Sequence, residues 1–204
     1  MSPRSGRALA AMALAALLVA CGGPGATTTG PTGTPSAAAP PAARSAKSVS
    51  VVGRSIPVGL RIPAIGVDTP VMKLGLAADG SVQVPPIAAH DRAGWYEHSP
   101  TPGQTGPSVI LGHVTVGAYG DGVFRRLGEL RRGEKIVTRL ENGTAAVFSV
   151  TDVRTVSKAR FPSEQVYGNV NRPELRLITC GGKRTGDGYL DNVIVFAALS
   201  SAGP

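Results

Sequence analysis

The chain predicts a mostly β domain, closed into a barrel or folded as a sandwich. Three observations point there. Beyond about residue 55, short runs rich in Val, Ile, Leu and Thr recur, and Gly or Pro separates them, the pattern of many short strands. An Asn142-Gly143 pair lies between two such runs, a strong signal for a tight hairpin turn. The stretch that carries the runs is about 145 residues long, enough for one domain around one core.

The elements follow in order. Val58-Gly59-Leu60-Arg61-Ile62 opens the domain. Val82-Gln83-Val84 is a short strand stopped by Pro85-Pro86. Ser108 through Val114 is apolar enough to be a buried strand, and it carries His113 near its end. Lys135 through Leu140 turns at Asn142-Gly143 into a strand over residues 145–153. Residues 175–180 and 192–199 supply two more strands. Residues 124–130 and 163–167 are read as short helices or turns. Trp95 and Tyr96 are assigned to the core. Asn142-Gly143-Thr144 also matches a glycosylation sequon, but beside a bacterial-type export signal it is read as a hairpin turn.

The first fifty residues are of another kind. Arg4 and Arg7 precede an apolar run over residues 8–20. At about 13 residues it has the length of a signal-peptide core and falls short of the ~20 that span a bilayer. It ends Leu18-Val19-Ala20-Cys21-Gly22, which resembles a bacterial lipobox, in which the peptidase leaves a lipidated cysteine as the new N-terminus. The alternatives are an ordinary signal peptide and an uncleaved anchor. All three place the domain outside the cytoplasm. Residues 21–55 are dominated by Gly, Pro, Thr, Ala and Ser. Such a composition buries too little apolar surface to offset its ordering entropy, so it is read as an extended tether. The expected organisation is therefore a signal peptide (1–20), a tether beginning at lipidated Cys21 (21–55) and a folded domain (56–200).

The formal net charge is +8. It falls to about +6 without Arg4 and Arg7, which suits an anionic envelope but names no partner. The basic residues are scattered and no recognition motif is present, so nucleic acid is not an expected partner. The glycine-rich stretch over residues 117–122 has no following Lys and Ser or Thr, so it is not a phosphate loop. Asp121, Asp187 and Asp191 are too scattered to argue for calcium. No Cys/His spacing argues for a metal, and no cofactor is expected.

With Cys21 assigned to the N-terminus, Cys180 is the one thiol left in the domain. It is either a packed hydrophobe or a nucleophile. His113 and Cys180 both end apolar strands, and two strand ends meeting at one rim would bring imidazole and sulfur together. A thiol near pKa 8.5 needs a basic or cationic neighbour to react at neutral pH. Acyl transfer also needs a donor for the developing oxyanion. Arg184 is the only arginine after Cys180. Arg176 competes, because it has the same strand parity as Cys180 and so shares its face. His90 and His98 are read as surface or hydrogen-bonding residues.

Leu177-Ile178-Thr179-Cys180 and Leu111-Gly112-His113 resemble the signatures of the sortases, cysteine transpeptidases of the Gram-positive surface. Ala93-Gly94-Trp95-Tyr96, Pro107-Ser108-Val109-Ile110, Gly133-Glu134-Lys135-Ile136 and Tyr189-Leu190-Asp191-Asn192-Val193 follow in the expected order. The resemblance covers about residues 56–200 and is nearest to the class F sortases of actinomycetes. It implies a single closed barrel of about eight strands with short helices in its loops. It implies that Cys180 attacks the threonyl carbonyl of an LPxTG-like sorting signal and that His113 acts as acid and base. Arg184 would bind the oxyanion, and Thr179 would orient substrate or arginine. A thioester would then pass to a wall or pilin amine, or to water, in a monomer tethered by its lipid anchor. Two departures stand out. Many relatives carry Tyr-Arg-Asp-Asn where this chain has Tyr189-Leu190-Asp191-Asn192, and most are held by a transmembrane segment.

Two other readings compete. An L,D-transpeptidase is also an exported cysteine acyl-transferase, but its Gly-Cys context is not matched by Thr179-Cys180-Gly181. A non-catalytic envelope lipoprotein would bind wall polymer or peptide with its thiol buried.

Overall fold

The computed structural model describes residues 51–186 and 188–204. The signal segment, most of the tether, Cys21 and Asp187 lie outside the described residues. Among the described residues there are ten strands: β1 (Pro57–Ile62), β2 (Val67–Leu74), β3 (Ala93–Tyr96), β4 (Gly106–Leu111), β5 (Thr115–Val116), β6 (Gly120–Asp121), β7 (Lys135–Leu140), β8 (Ala145–Ser157), β9 (Pro173–Thr185) and β10 (Gly188–Gly203). Eight of them close into a barrel in the order β1-β2-β3-β4-β9-β10-β8-β7, and β5 and β6 form a separate small ribbon. The expected closed barrel of eight strands is what is found.

Neighbours in the barrel are antiparallel except β2 with β3 and β4 with β9. The β4–β9 pairing decides the site. Ser108 lies opposite Leu175 and Leu111 opposite Ile178, so the two strands leave the barrel at the same end, each heading for its candidate residue. The Asn142-Gly143 turn links β7 to β8 as expected, with Gly143 at φ 85.

Strand alternation separates two apolar clusters. Leu60, Trp95, Ile110, Phe148, Leu175 and Leu177 point inward and are buried in the barrel core. Burying such a side chain contributes about 1.5–3 kcal/mol. The opposite faces of β4, β9 and β10 carry Val109, Ile178, Ile194 and Phe196, which form a second cluster outside the barrel. Val166 of the short helix α1 (Ser163–Tyr167) caps it. Phe161, Tyr167 and Tyr96 pack around it edge to face or tilted. Trp95 is core as expected, whereas Tyr96 belongs to this outer cluster.

Some boundaries differ from the sequence reading. Val82-Gln83-Val84 is not a strand; only an isolated bridge pairs Val82 with Leu76. Gln83 turns its side chain back to accept from the Gly75 amide at 2.9 Å, and Pro85-Pro86 can donate nothing to a ladder. β4 ends at Leu111, so His113 stands two residues beyond the strand. β9 does not stop at Cys180. It runs through Gly181-Gly182 to Thr185, paired with β10 across a bulge near Leu190.

Candidate active site

Cys180 belongs to the outward set of β9. Leu175 and Leu177 face the barrel core, while Ile178 joins the outer cluster; by the same alternation Cys180 faces outward and Thr179 inward. The thiol is unpaired and partly exposed. Two glycines follow because β10 passes close by. A Cβ on Gly181 would meet Val193 Cγ2 at 2.7 Å, and one on Gly182 would meet Asp191 Oδ2 at 1.9 Å. Gly182 also has φ 72, a conformation side-chain-bearing residues avoid.

His113 is held by the same device. The Phe124 amide donates to the His113 carbonyl at 2.8 Å, and the Gly122 amide donates to Val114 at 3.0 Å. A Cβ on Gly122 would sit 2.4 Å from the His113 carbonyl oxygen, and one on Gly112 would meet Phe124 Cδ2 at 2.6 Å. The chain can fold back over His113 only with glycine at these positions. The imidazole Nε2 lies 2.6 Å from the main-chain oxygen of Pro85.

His113 and Cys180 line one cavity of about 80 Å³, together with Val84, Pro85, Leu111 and Ile178. Its lining is mostly apolar, and Asn192, opposite Cys180 on β10, adds an amide. Cys180 also borders a wider depression of about 200 Å³, on the side of Phe124, Glu129 and Tyr189. Cys180 therefore stands between two depressions, one apolar and one with charged groups at its rim.

The two candidate arginines are in different situations. Arg176 shares the face of Cys180 but is 3% exposed. It donates to the Glu174 carboxylate and to the Gln165 carbonyl, and its guanidinium stacks on Phe196 at 4.6 Å. Arg176 thus ties α1 to the sheet. Arg184 is exposed on the β9–β10 hairpin, opposite Tyr189, with its guanidinium 5.9 Å from that ring. The Tyr189 hydroxyl is 2.9 Å from Thr115 Oγ1. This contact joins the Arg184 hairpin to the ribbon that follows His113. Arg184 itself does not line the small cavity.

Thr179 is 4% exposed, and its hydroxyl has no hydrogen-bond partner. Burial pushes the Glu174 carboxyl up, but hydrogen bonds and charge from Arg176 and Arg172 outweigh it and hold it below the usual carboxylate range. His98 is exposed beside Tyr96, and His90 stacks on Tyr119 at 4.9 Å. Neither lines the cavity with Cys180. Sequence reasoning missed Val84, Pro85 and Asn192. For the first two, the only signal was a diproline that reads as a strand stop.

The Sortase domain family matches residues 60–200. The chain belongs to the sortase family. Its members are cysteine transpeptidases of the cell envelope, and they act outside the cytoplasm on LPxTG-type surface proteins. Among solved structures, the SrtA sortase from Actinomyces oris is 28% identical with a TM-score of 0.55, covering 77% of this chain and 85% of that one. Listeria monocytogenes sortase A is 19% identical with a TM-score of 0.54, covering 72% and 88%. A Clostridium perfringens sortase D5 transpeptidase is 22% identical with a TM-score of 0.53, covering 76% and 83%. The last two likenesses speak to the fold alone. No curated protein matches the chain. Among the described residues, no helix is long and apolar enough to cross a membrane.

Proposed function

We propose that this sortase cleaves an LPxTG-like sorting signal between Thr and Gly through a thioester on Cys180, and passes the acyl group to an amine or to water. The observation that carries the reading is the shared cavity of His113 and Cys180 at the ends of β4 and β9. The Cys180 thiolate attacks the threonyl carbonyl carbon. As the tetrahedral intermediate collapses, the C–N bond breaks, the thioester remains, and protonated His113 gives its proton to the departing glycine amine. An incoming amine loses a proton to His113 as it attacks the thioester, and the thiolate leaves.

Arg184 supplies donors for the oxyanion. Among the described residues it pairs with no carboxylate, whereas Arg176 is neutralised by Glu174 in a buried setting. The hairpin that carries Arg184 borders Cys180 through Tyr189, and catalytic contacts often tighten only with substrate bound. Thr179 orients substrate or arginine. The apolar cavity formed by Leu111, Ile178 and Val84 suits the Leu-Pro portion of the signal. The wall carrying Phe161 and Tyr167 bounds the same face.

The class F assignment rests on the likeness of the motifs over residues 56–200 taken in order, with Leu190 in Tyr189-Leu190-Asp191-Asn192 a departure from the Tyr-Arg-Asp-Asn of many relatives. The lipobox-like Val19-Ala20-Cys21-Gly22 supports anchoring through lipidated Cys21, after removal of residues 1–20 and ahead of the tether. Mass spectrometry of the mature N-terminus tests that part, and an unmodified Cys21 refutes it. Incubation with a peptide library and glycine-type amines, read by mass spectrometry, tests the chemistry. The expected products are Thr–amine conjugates that the Cys180→Ala variant does not form. Conjugates formed equally by Cys180→Ala would refute the mechanism.

A further inference from the structure

The imidazole of His113 meets a main-chain carbonyl, at Pro85, on the connection between β2 and β3. Nε2 to oxygen is 2.6 Å, at the short end of hydrogen-bond distances. A carbonyl oxygen can only accept, so Nε2 must carry the proton. A neutral imidazole has one N–H, and an acceptor oxygen at one ring nitrogen holds it there and leaves the other nitrogen as the base. We infer that the Pro85 carbonyl orients His113 by accepting its Nε2–H, which leaves Nδ1 as the nitrogen that exchanges protons at Cys180. The inference deepens the acid–base role of His113 proposed above and rests on it.

Both ends of the contact are held by separate frameworks. On the histidine side, the main chain is pinned by the Phe124 amide, 2.8 Å from the His113 carbonyl, and by the close approach of Gly122. On the other side, Pro85 is buried. Two consecutive prolines fix φ and favour an extended residue before each ring, and Pro86 sits at φ −55, ψ 148. The flanks are tied down as well. The Gln83 amide donates to Gly75 at 3.0 Å, the Ala89 amide to the Pro86 carbonyl at 2.8 Å, and the Val123 amide to the His90 carbonyl at 3.0 Å. The carbonyl is thus aimed before any substrate arrives, as a preorganised orienting group must be. A nucleophile–base pair ordinarily has a third group that orients the base. Among the described residues, the hydrogen-bond partner of the His113 ring is this peptide oxygen rather than a carboxylate.

The proton path follows. In the imidazolium, Nε2–H stays on Pro85, and the Nδ1 proton goes to the leaving amine as the C–N bond breaks. The resulting neutral ring takes a proton at Nδ1 from the incoming amine. The carbonyl gains and loses no proton. Pro85 is therefore a positioning residue acting through its backbone, and Val84 beside it lines the peptide groove.

Nitrogen-15 NMR of ring-labelled histidine tests this in the full-length protein, with the signal assigned by its absence in His113→Gln. With the ring neutral, His113 is expected wholly as the Nε2–H tautomer, beyond the partial Nε2–H preference of free histidine. An Nδ1–H tautomer, or an even mixture, overturns the inference. The double variant Pro85→Gly, Pro86→Gly releases the carbonyl. It is expected to relax the tautomer balance toward that of free histidine and to lower kcat by roughly tenfold or more, the scale of losses when a partner that orients a histidine is removed. An unchanged kcat overturns the inference. Val84→Ala trims the groove but keeps the carbonyl, so KM rises while the tautomer stays. A tautomer shift as large as in the double variant would assign the effect to packing and refute the role of Pro85. The wild-type spectrum decides even if the double variant fails to fold. The spectrum is read without turnover, so an Nε2–H tautomer in a protein that transfers no peptide refutes the transpeptidase reading alone.

Discussion

Arg176 and Arg184 look alike in the sequence and differ in what surrounds their charge. Arg176 is buried against Glu174, Gln165 and Phe196. Arg184 is exposed on a hairpin tied to the histidine segment through Tyr189 and Thr115. Arg184→Ala is therefore expected to lower kcat/KM by roughly 10²-fold or more, as loss of an oxyanion donor does, with an unchanged melting temperature. Arg176→Ala is expected to destabilise the fold by about 1.5–3 kcal/mol, because the buried Glu174 loses a charged hydrogen-bond partner and keeps only Arg172. Melting curves beside peptide-transfer rates check both; a fully active Arg184→Ala would move the catalytic assignment elsewhere. The same pair sets an acid limit. The carboxyl of Glu174 is held below its usual range, so its stabilisation is complete above the unfolded-state pKa near 4.3 and is lost as pH falls through the lower folded value. Thermal stability measured from pH 6 to pH 3 should drop at the acid end, and the drop should be smaller in Glu174→Gln. The sequence showed the parity of Arg176 with Cys180 but not its burial, since the carboxylate that neutralises it lies on the same strand and could equally have faced water.

At the scale of elements, the β9–β10 hairpin carries the sulfur, and its glycines belong to its construction. Gly182 sits at φ 72 with the Asp191 carboxylate where a Cβ would go. Gly182→Ala should cost roughly 1–2 kcal/mol from backbone strain. It should also reduce peptide transfer by shifting the segment that follows Cys180. Gly186→Ala meets nothing within 4 Å and should change neither melting temperature nor transfer, so equal effects from the two variants would contradict the account. Strands with continuous apolar runs or a strong turn were legible: β1, β4, β7, β8 and the cores of β9 and β10. β2 and β3 were not. β2 holds Pro70 within an imperfect alternation and β3 is four residues around a glycine, so both are strands by virtue of their neighbours rather than of local preference. The glycines after Cys180 read as a stop, whereas they let the hairpin continue under β10.

At the scale of the molecule, the barrel brings together residues 67 positions apart in the chain. The parallel pairing of β4 with β9 fixes the register that places His113 and Cys180 at one end, and the outer cluster of Val109, Ile178, Ile194 and Phe196 floors the surface they share. The motifs around the histidine and cysteine made this meeting predictable. The third wall of the cavity was not, because a backbone oxygen leaves no mark in a sequence beyond the prolines that aim it. The proposed chemistry turns on a covalent bond to one sulfur, and intact-protein and peptide-mapping mass spectrometry with a sorting peptide, quenched before an amine is added, measures it directly. The predicted result is an acyl adduct ending in threonine on the Cys180 peptide, released by hydroxylamine and absent from Cys180→Ala. Peptide cleavage that proceeds without an adduct on Cys180, or that persists in Cys180→Ala, would contradict it.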